Sequence, residues 1–101
     1  MYIYNLTVKV DNSISDKWLK WQMEEHIPEI LSLQLFDTHK IFRLLEQDES
    51  EGKTYVIQYF TPVKENYEKY INEHANKLRA NAVKKWGNKF IAFRTLLQAV
   101  Q

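Results

Sequence analysis

The stretch Glu24-Glu25-His26-Ile27-Pro28-Glu29 holds the residue types that proton transfer needs: an imidazole that titrates near neutral pH, with acids beside it that could orient it. The competing reading is a solvated helix end, in which the same charges only face water. A second Glu-His pair, Glu73-His74, falls on an apolar helical stripe and reads as a core or interface histidine. A third constellation is dispersed along the chain. Asn5, Arg43, Gln58 and Arg94 each occupy an alternating strand position that is expected to face away from the helices, where guanidinium groups could grip a small anion in bidentate fashion. The alternative role for these four is a set of salt bridges and hydrogen bonds joining two copies of the chain.

Other chemistries lack their residues. His26, His39 and His74 are isolated, with no His-x-His or His-x-x-x-His spacing, and there is no cysteine, so neither a metal nor a thiol nucleophile is expected. Glycine occurs only at 52 and 87, which leaves no phosphate-cradling loop, and no nucleophile elbow is present. No cofactor is expected. The acidic run Asp48-Glu49-Ser50-Glu51 reads as a soluble hairpin tip.

Composition narrows the partners. Lys+Arg number 14 and Asp+Glu 13, a formal charge of +1, so there is no basic excess to follow a nucleic-acid backbone or an anionic membrane. No apolar run approaches the ~18 residues of a membrane span, and no basic flank or cleavage site precedes the aromatic start. Absence of cysteine suits a reducing, cytoplasmic compartment. With 101 residues and no linker, the chain is expected to be one domain, residues 1–101.

Elements that could position these groups follow from periodicity. Tyr2, Tyr4, Leu6, Val8 and Val10 alternate with Ile3, Asn5, Thr7 and Lys9, a strand with one apolar face. Ser13-Ile14-Ser15-Asp16 resembles a capping box, and Ile14, Trp18, Trp21 with Leu19, Met23, Ile27 give helical spacing to about Leu31. Pro28 removes an amide and crowds the carbonyl four residues back, so a break or tightening is expected near His26. Residues 39–47 and 53–61 read as a hairpin about Asp48–Gly52. Thr61-Pro62 is a helix start, Tyr67, Tyr70, Ile71, His74, Leu78, Ala82 and Trp86 form its stripe, and Gly87 ends it before a last strand over 89–99. The order βαββαβ with right-handed crossovers gives an α+β, ferredoxin-like sandwich: a four-stranded antiparallel sheet with both helices on one face.

The opening Tyr2-Ile3-Tyr4-Asn5-Leu6 also has the look of a first strand of an RNA-recognition motif, a fold of the same topology. That motif's phase would bury Thr7 and Lys9 and leave Leu6, Val8 and Val10 in water. Each misplaced large side chain forfeits roughly 1.5–3 kcal/mol, so the opposite phase wins. The matching third-strand stretch, Glu51 to Gln58, keeps a single aromatic and starts acidic. Nucleic-acid binding is not expected. The open face is expected to carry Ile3, Asn5, Thr7, Ile41, Arg43, Leu45, Val56, Gln58, Phe60, Phe90, Ala92, Arg94 and Leu96, too apolar to stay wet, so a second copy is expected to cover it as in a dimeric α+β barrel.

The stretches IFRLLEQDESEGKTYVIQYF and KKWGNKFIAFRTLLQ, with MYIYNLTVKV at the start, resemble the small bacterial proteins of domain of unknown function 4286 over essentially the whole chain. The resemblance implies a bacterial protein of ferredoxin-like or dimeric-barrel type and carries no activity with it. EEHIPEIL is similar, more remotely, to the His-Pro helix ends of some dimeric α+β barrel monooxygenases and isomerases, which would set His26 beside a cleft. Two functions follow as expectations: a homodimer that binds a small anionic molecule or a partner, or a cofactor-independent enzyme with His26 as proton shuttle.

Overall fold

The computed structural model describes residues 1–101. Strand β1 (Tyr2–Asp11) leads into helices α1 (Ser15–Trp21) and α2 (Ile27–Ser32), which are joined by a π-helical turn over Gln22–His26. Next come β2 (Thr38–Arg43), β3 (Gly52–Thr61), α3 (Lys64–Glu73), α4 (Ala75–Trp86) and β4 (Phe90–Gln98). The strands form one antiparallel sheet in the order β2-β3-β1-β4, and the helices pack on one of its faces. This is the ferredoxin-like α+β architecture that the periodicity predicts.

The first strand takes the phase that burial demands. Tyr4, Val8 and Val10 are buried beneath the helices, where they meet Tyr55, Ile57 and Tyr59 from β3 and Trp18, Ile27 and Ile30 from the first helical segment. Tyr4 is the hub, with ring centroids 5.4 Å from Tyr70, 5.7 Å from Tyr67, 6.0 Å from Tyr59 and 6.1 Å from Phe36. Offset and tilted pairs at these distances are favourable beyond the area they bury.

The two edge strands take the opposite phase to the one expected. Residues directly opposed in an antiparallel ladder project to the same face. Leu6 opposes Arg94, Val8 opposes Ala92 and Val10 opposes Phe90, so these β4 residues lie on the helix side, while Ile91, Phe93, Thr95 and Leu97 form the open face. In β2, His39, Ile41 and Arg43 oppose Tyr59, Ile57 and Tyr55, which leaves Thr38, Lys40 and Phe42 outside. Both parities of β4 are apolar, so local pattern does not choose between them. Pairing with the unambiguous β1 does.

Both helix starts lie later than the capping signals suggest. Ser13 does not cap α1: its amide and hydroxyl donate to Asp11 Oδ1 at 2.8 and 2.6 Å, because a carboxylate two residues back is the stronger acceptor. Thr61 Oγ1 accepts from the Val63 amide at 3.2 Å, which closes a turn before α3 begins at Lys64. The second helical segment breaks at His74 (φ −127°), next to the fully buried Ala75, whose small side chain lets the bent backbone lie against the core. Gly87 (φ +62°) ends α4 as expected.

Strand β2 stops at Arg43, short of its expected end, and residues 44–51 form a loop clamped from two sides. Arg43 Nε and Nη2 donate to Glu49 at 3.2 and 2.5 Å, and Asn12 Nδ2 donates to the Glu49 and Ser50 carbonyls at 3.0 and 3.2 Å. The loop delivers the chain to Gly52, opposite Asp11, where any Cβ would overlap the Val10 carbonyl. Since the obstacle is backbone within the β1–β3 ladder, Gly52→Ala is expected to cost about 1–3 kcal/mol, read as a lower urea midpoint at unchanged slope. A midpoint equal to the parent's would show that the strand end yields freely.

Candidate functional site

Pro28 is the local cause of the site's shape. Without an amide it cannot serve the Glu24 carbonyl, and its ring would press on that oxygen in a regular helix. The chain widens instead of tightening: the Ile27 amide donates to the Gln22 carbonyl five residues back. The buried positions record the change, running Trp18, Gln22, Ile27, Ile30, with a five-residue step across the turn. Met23, which the regular spacing would bury, is exposed. Wide turns of this kind often occur at functional positions.

The turn places Gln22 and His26 on the wall of a cavity of about 40 Å³ between the helices and the sheet. That is room for about three waters or one small molecule. Tyr4, Ile57 and Tyr59 form its floor, Tyr70 and Arg79 line it from α3 and α4, and Arg94 reaches it from β4. Arg79 Nη2 donates to the Tyr4 hydroxyl at 3.2 Å, but the buried Arg79 Nε has no partner. Gln22, only 6% exposed, likewise has a buried Oε1 with no partner. The chain's ion pairs are Arg43–Glu49 and Lys64–Glu68, so neither Arg79 nor Arg94 is matched by a carboxylate, and none lines the cavity.

His26 also borders an outer groove with Trp21, Glu25, Glu29, Asn81 and Lys85, so its ring stands between that groove and the interior. It stacks on Trp21, centroids 4.5 Å apart. Burial pushes its pKa down to about 4, and the imidazole is therefore neutral at pH 7. Burial also raises the Tyr59 and Tyr70 hydroxyls well above their ordinary range, which keeps both as neutral hydrogen-bonding groups.

The residues singled out from sequence do not converge on one place. Asn5 and Gln58 share the open face, where Gln58 Nε2 donates to Asn5 Oδ1 at 3.1 Å and Asn5 Nδ2 to Thr95 Oγ1 at 3.4 Å. Arg43 lies at the far end of β2, on the helix-side parity and held by Glu49, and Arg94 faces the helix-side cavity, so neither joins that cluster. Arg94 and His26 are instead brought together. Gln22, Arg79 and Tyr70 were missed by sequence reasoning; a five-residue step between apolar neighbours ahead of Pro28 is the signal that points to Gln22. No group of three His, Cys, Asp or Glu side chains is placed to hold a metal ion, and no helix is long and apolar enough to cross a membrane.

The buried imidazole makes stability depend on pH. His26 titrates near 6.5 when unfolded and near 4 when folded, so between those values the unfolded chain binds more protons. The stabilisation is fully present above about pH 6.5 and is lost as pH falls toward 4, up to about 3 kcal/mol. Asp11, Asp48 and Glu49, held low by hydrogen bonds from Ser13, Ser50 and Arg43, lose their contributions only in and below the carboxylate range. Urea unfolding between pH 7 and 4.5 is expected to show the loss in the parent and a flatter profile in His26→Phe, which keeps a ring against Trp21. Equal pH slopes in the two proteins would show that His26 is not the group responsible.

Solved structures share this fold at low identity. A dimeric ferredoxin-like protein from an uncultured marine organism matches with a TM-score of 0.72 and 12% identity, covering 99% of this chain and 95% of that one. An ethd family protein from Bacillus halodurans matches at 0.66 and 11%, covering 99% and 100%. SnoaB, a cofactor-independent oxygenase from Streptomyces nogalater, matches at 0.62 and 10%, covering 99% and 94%. A search of curated proteins returns no match. Residues 1–100 match the family model described as Domain of unknown function (DUF4286), and the chain belongs to that family.

Proposed function

We propose that this chain is a homodimeric small-molecule-binding domain whose anionic ligand enters the helix-side cavity and whose open sheet face is covered by a second copy. The observation that carries the ligand reading is the Arg79 guanidinium, with Nε buried and unpartnered, on a cavity wall that carries no Asp or Glu and with no carboxylate at ion-pairing distance. A partly buried cation without a counter-charge is costly, and a bound anion offsets that cost. Arg94 at the same cavity adds the second positive group.

Support for the dimer comes from the open face. Phe42, Ile91, Phe93 and Leu97 are exposed there, around the Gln58–Asn5–Thr95 strip. The strip is a small polar centre in an apolar field, suited to bridging two copies, and two of the similar structures are described as dimeric ferredoxin-like proteins. The family resemblance and the cysteine-free composition favour a bacterial, cytoplasmic setting.

Light scattering is expected to give twice 12.2 kDa for the parent and half that mass for Phe93→Glu, which places a charge on the apolar part of the covered face. A monomeric parent overturns the dimer. Titration with acetate or propionate, followed by amide NMR, is expected to give saturable shifts at Gln22, His26 and Arg79 that disappear in Arg79→Met. Shifts confined to surface lysines, or none, overturn the cavity as the binding site.

A second reading is favoured by one observation, the neutral His26 on the wall that also holds Arg79 and Arg94. It makes the chain a cofactor-independent enzyme of monooxygenase or isomerase type, with His26 accepting a proton while an arginine holds the developing enolate. SnoaB, which shares the fold, is described as a cofactor-independent oxygenase. A panel of enolisable ketones and quinols incubated under air separates the readings. Turnover lost in His26→Ala with dimer mass unchanged supports catalysis, and no turnover by the parent removes it.

A further inference from the structure

We infer that the cavity is built for a short hydroxy carboxylate, its hydroxyl donating to Gln22 Oε1 and its carboxylate accepting from Arg79 and Arg94. This rests on the cavity being the binding site and goes on to name the chemical class of its occupant. Two orphaned polar atoms of opposite kind set that class. Arg79 Nε needs an acceptor and Gln22 Oε1 needs a donor, and both are buried on the wall of one cavity. A plain carboxylate offers only acceptors and would leave Gln22 unpaired, whereas a neutral alcohol would leave the guanidinium without a counter-charge.

The donor must be a hydroxyl rather than an ammonium. An amino acid also pairs a carboxylate with a donor, but its cation would enter a cavity that already holds two guanidinium groups and has no Asp or Glu on its wall. Like charges there raise the cost of entry steeply, since the surroundings are largely apolar. Size sets the spacing. Room of about 40 Å³, with the exposed Arg94 at its rim, favours a hydroxyl one carbon from the carboxylate over one at the end of a long chain. Apolar contacts from Ile30, Ile57 and Ala92 suit a short alkyl substituent on that carbon.

Two matched series test this by calorimetry on the full chain: glycolate, acetate and glycine, then lactate, propionate and alanine. Glycolate and lactate are expected to bind about tenfold or more tighter than acetate and propionate, since a site built around a hydroxyl penalises the analogue that leaves its partner unpaired. Glycine and alanine are expected to bind more weakly than either. Gln22→Met, close in shape to the parent side chain, is expected to erase the hydroxyl preference while keeping carboxylate binding, and to melt no lower than the parent because an unpaired buried acceptor is gone.

Equal binding of acetate and glycolate overturns the hydroxy-acid class and leaves the anion site standing. Failure of all six compounds overturns both. A preference that survives Gln22→Met and vanishes in His26→Phe moves the hydroxyl's partner to the imidazole and overturns the assignment to Gln22.

Discussion

Tyr4 is the contact on which both the fold and the cavity rest. Its ring touches Phe36, Tyr59, Tyr67 and Tyr70, joining β1 to β3, to α3 and to the segment that precedes β2. Its hydroxyl accepts from Arg79, so the ring that closes the core also holds one side of the guanidinium at the cavity. A phenylalanine could satisfy the packing alone. The tyrosine couples packing to polarity, because the buried hydroxyl needs a partner and finds it in the group that would meet a ligand.

The opposite wall depends on a backbone constraint. Pro28 prevents the regular helix from continuing, and the widened turn before it shifts the buried face by one residue. Gln22, one regular turn after Trp18, is thereby followed on the buried face by Ile27 and not by His26, and occupies a place where an amphipathic helix ordinarily carries an apolar side chain. It also leaves His26 at the boundary between interior and groove, stacked on Trp21 and buried enough to stay neutral at pH 7. One missing amide thus shapes the turn that carries two of the cavity's polar groups.

The four-stranded antiparallel sheet, the first strand's phase and the helical layer on one face were legible because β1 has one apolar parity and one mixed parity, and topology follows from the element order. The edge strands were not. In β4, Phe90-Ala92-Arg94-Leu96 and Ile91-Phe93-Thr95-Leu97 are equally apolar, and an arginine reads locally as a residue for the outside. Register with β1 puts Arg94 on the helix side of the sheet, at an exposed edge, through a long-range pairing that no window along the chain contains. His26 was legible as a candidate because its neighbours are conspicuous. Gln22 and Arg79 were not, since each is a common polar residue on a helix and only burial gives either one meaning.

That burial works against stability. An unsatisfied buried donor or acceptor costs about 1–3 kcal/mol, and a domain of this size is held by roughly 5–15 kcal/mol in all. Neither Gln22 Oε1 nor Arg79 Nε has a protein partner, so each adds less to that margin than a group paired within the fold, in a core that is otherwise dense with aromatic contacts. Apolar residues at the same places would fold more securely and leave the cavity without chemistry. A ligand that pairs both atoms would add its binding free energy to folding, in proportion to the logarithm of its concentration over its dissociation constant. On the proposed reading, occupancy and stability are linked through the same two atoms, one on the wide turn and the other held by the tyrosine hub.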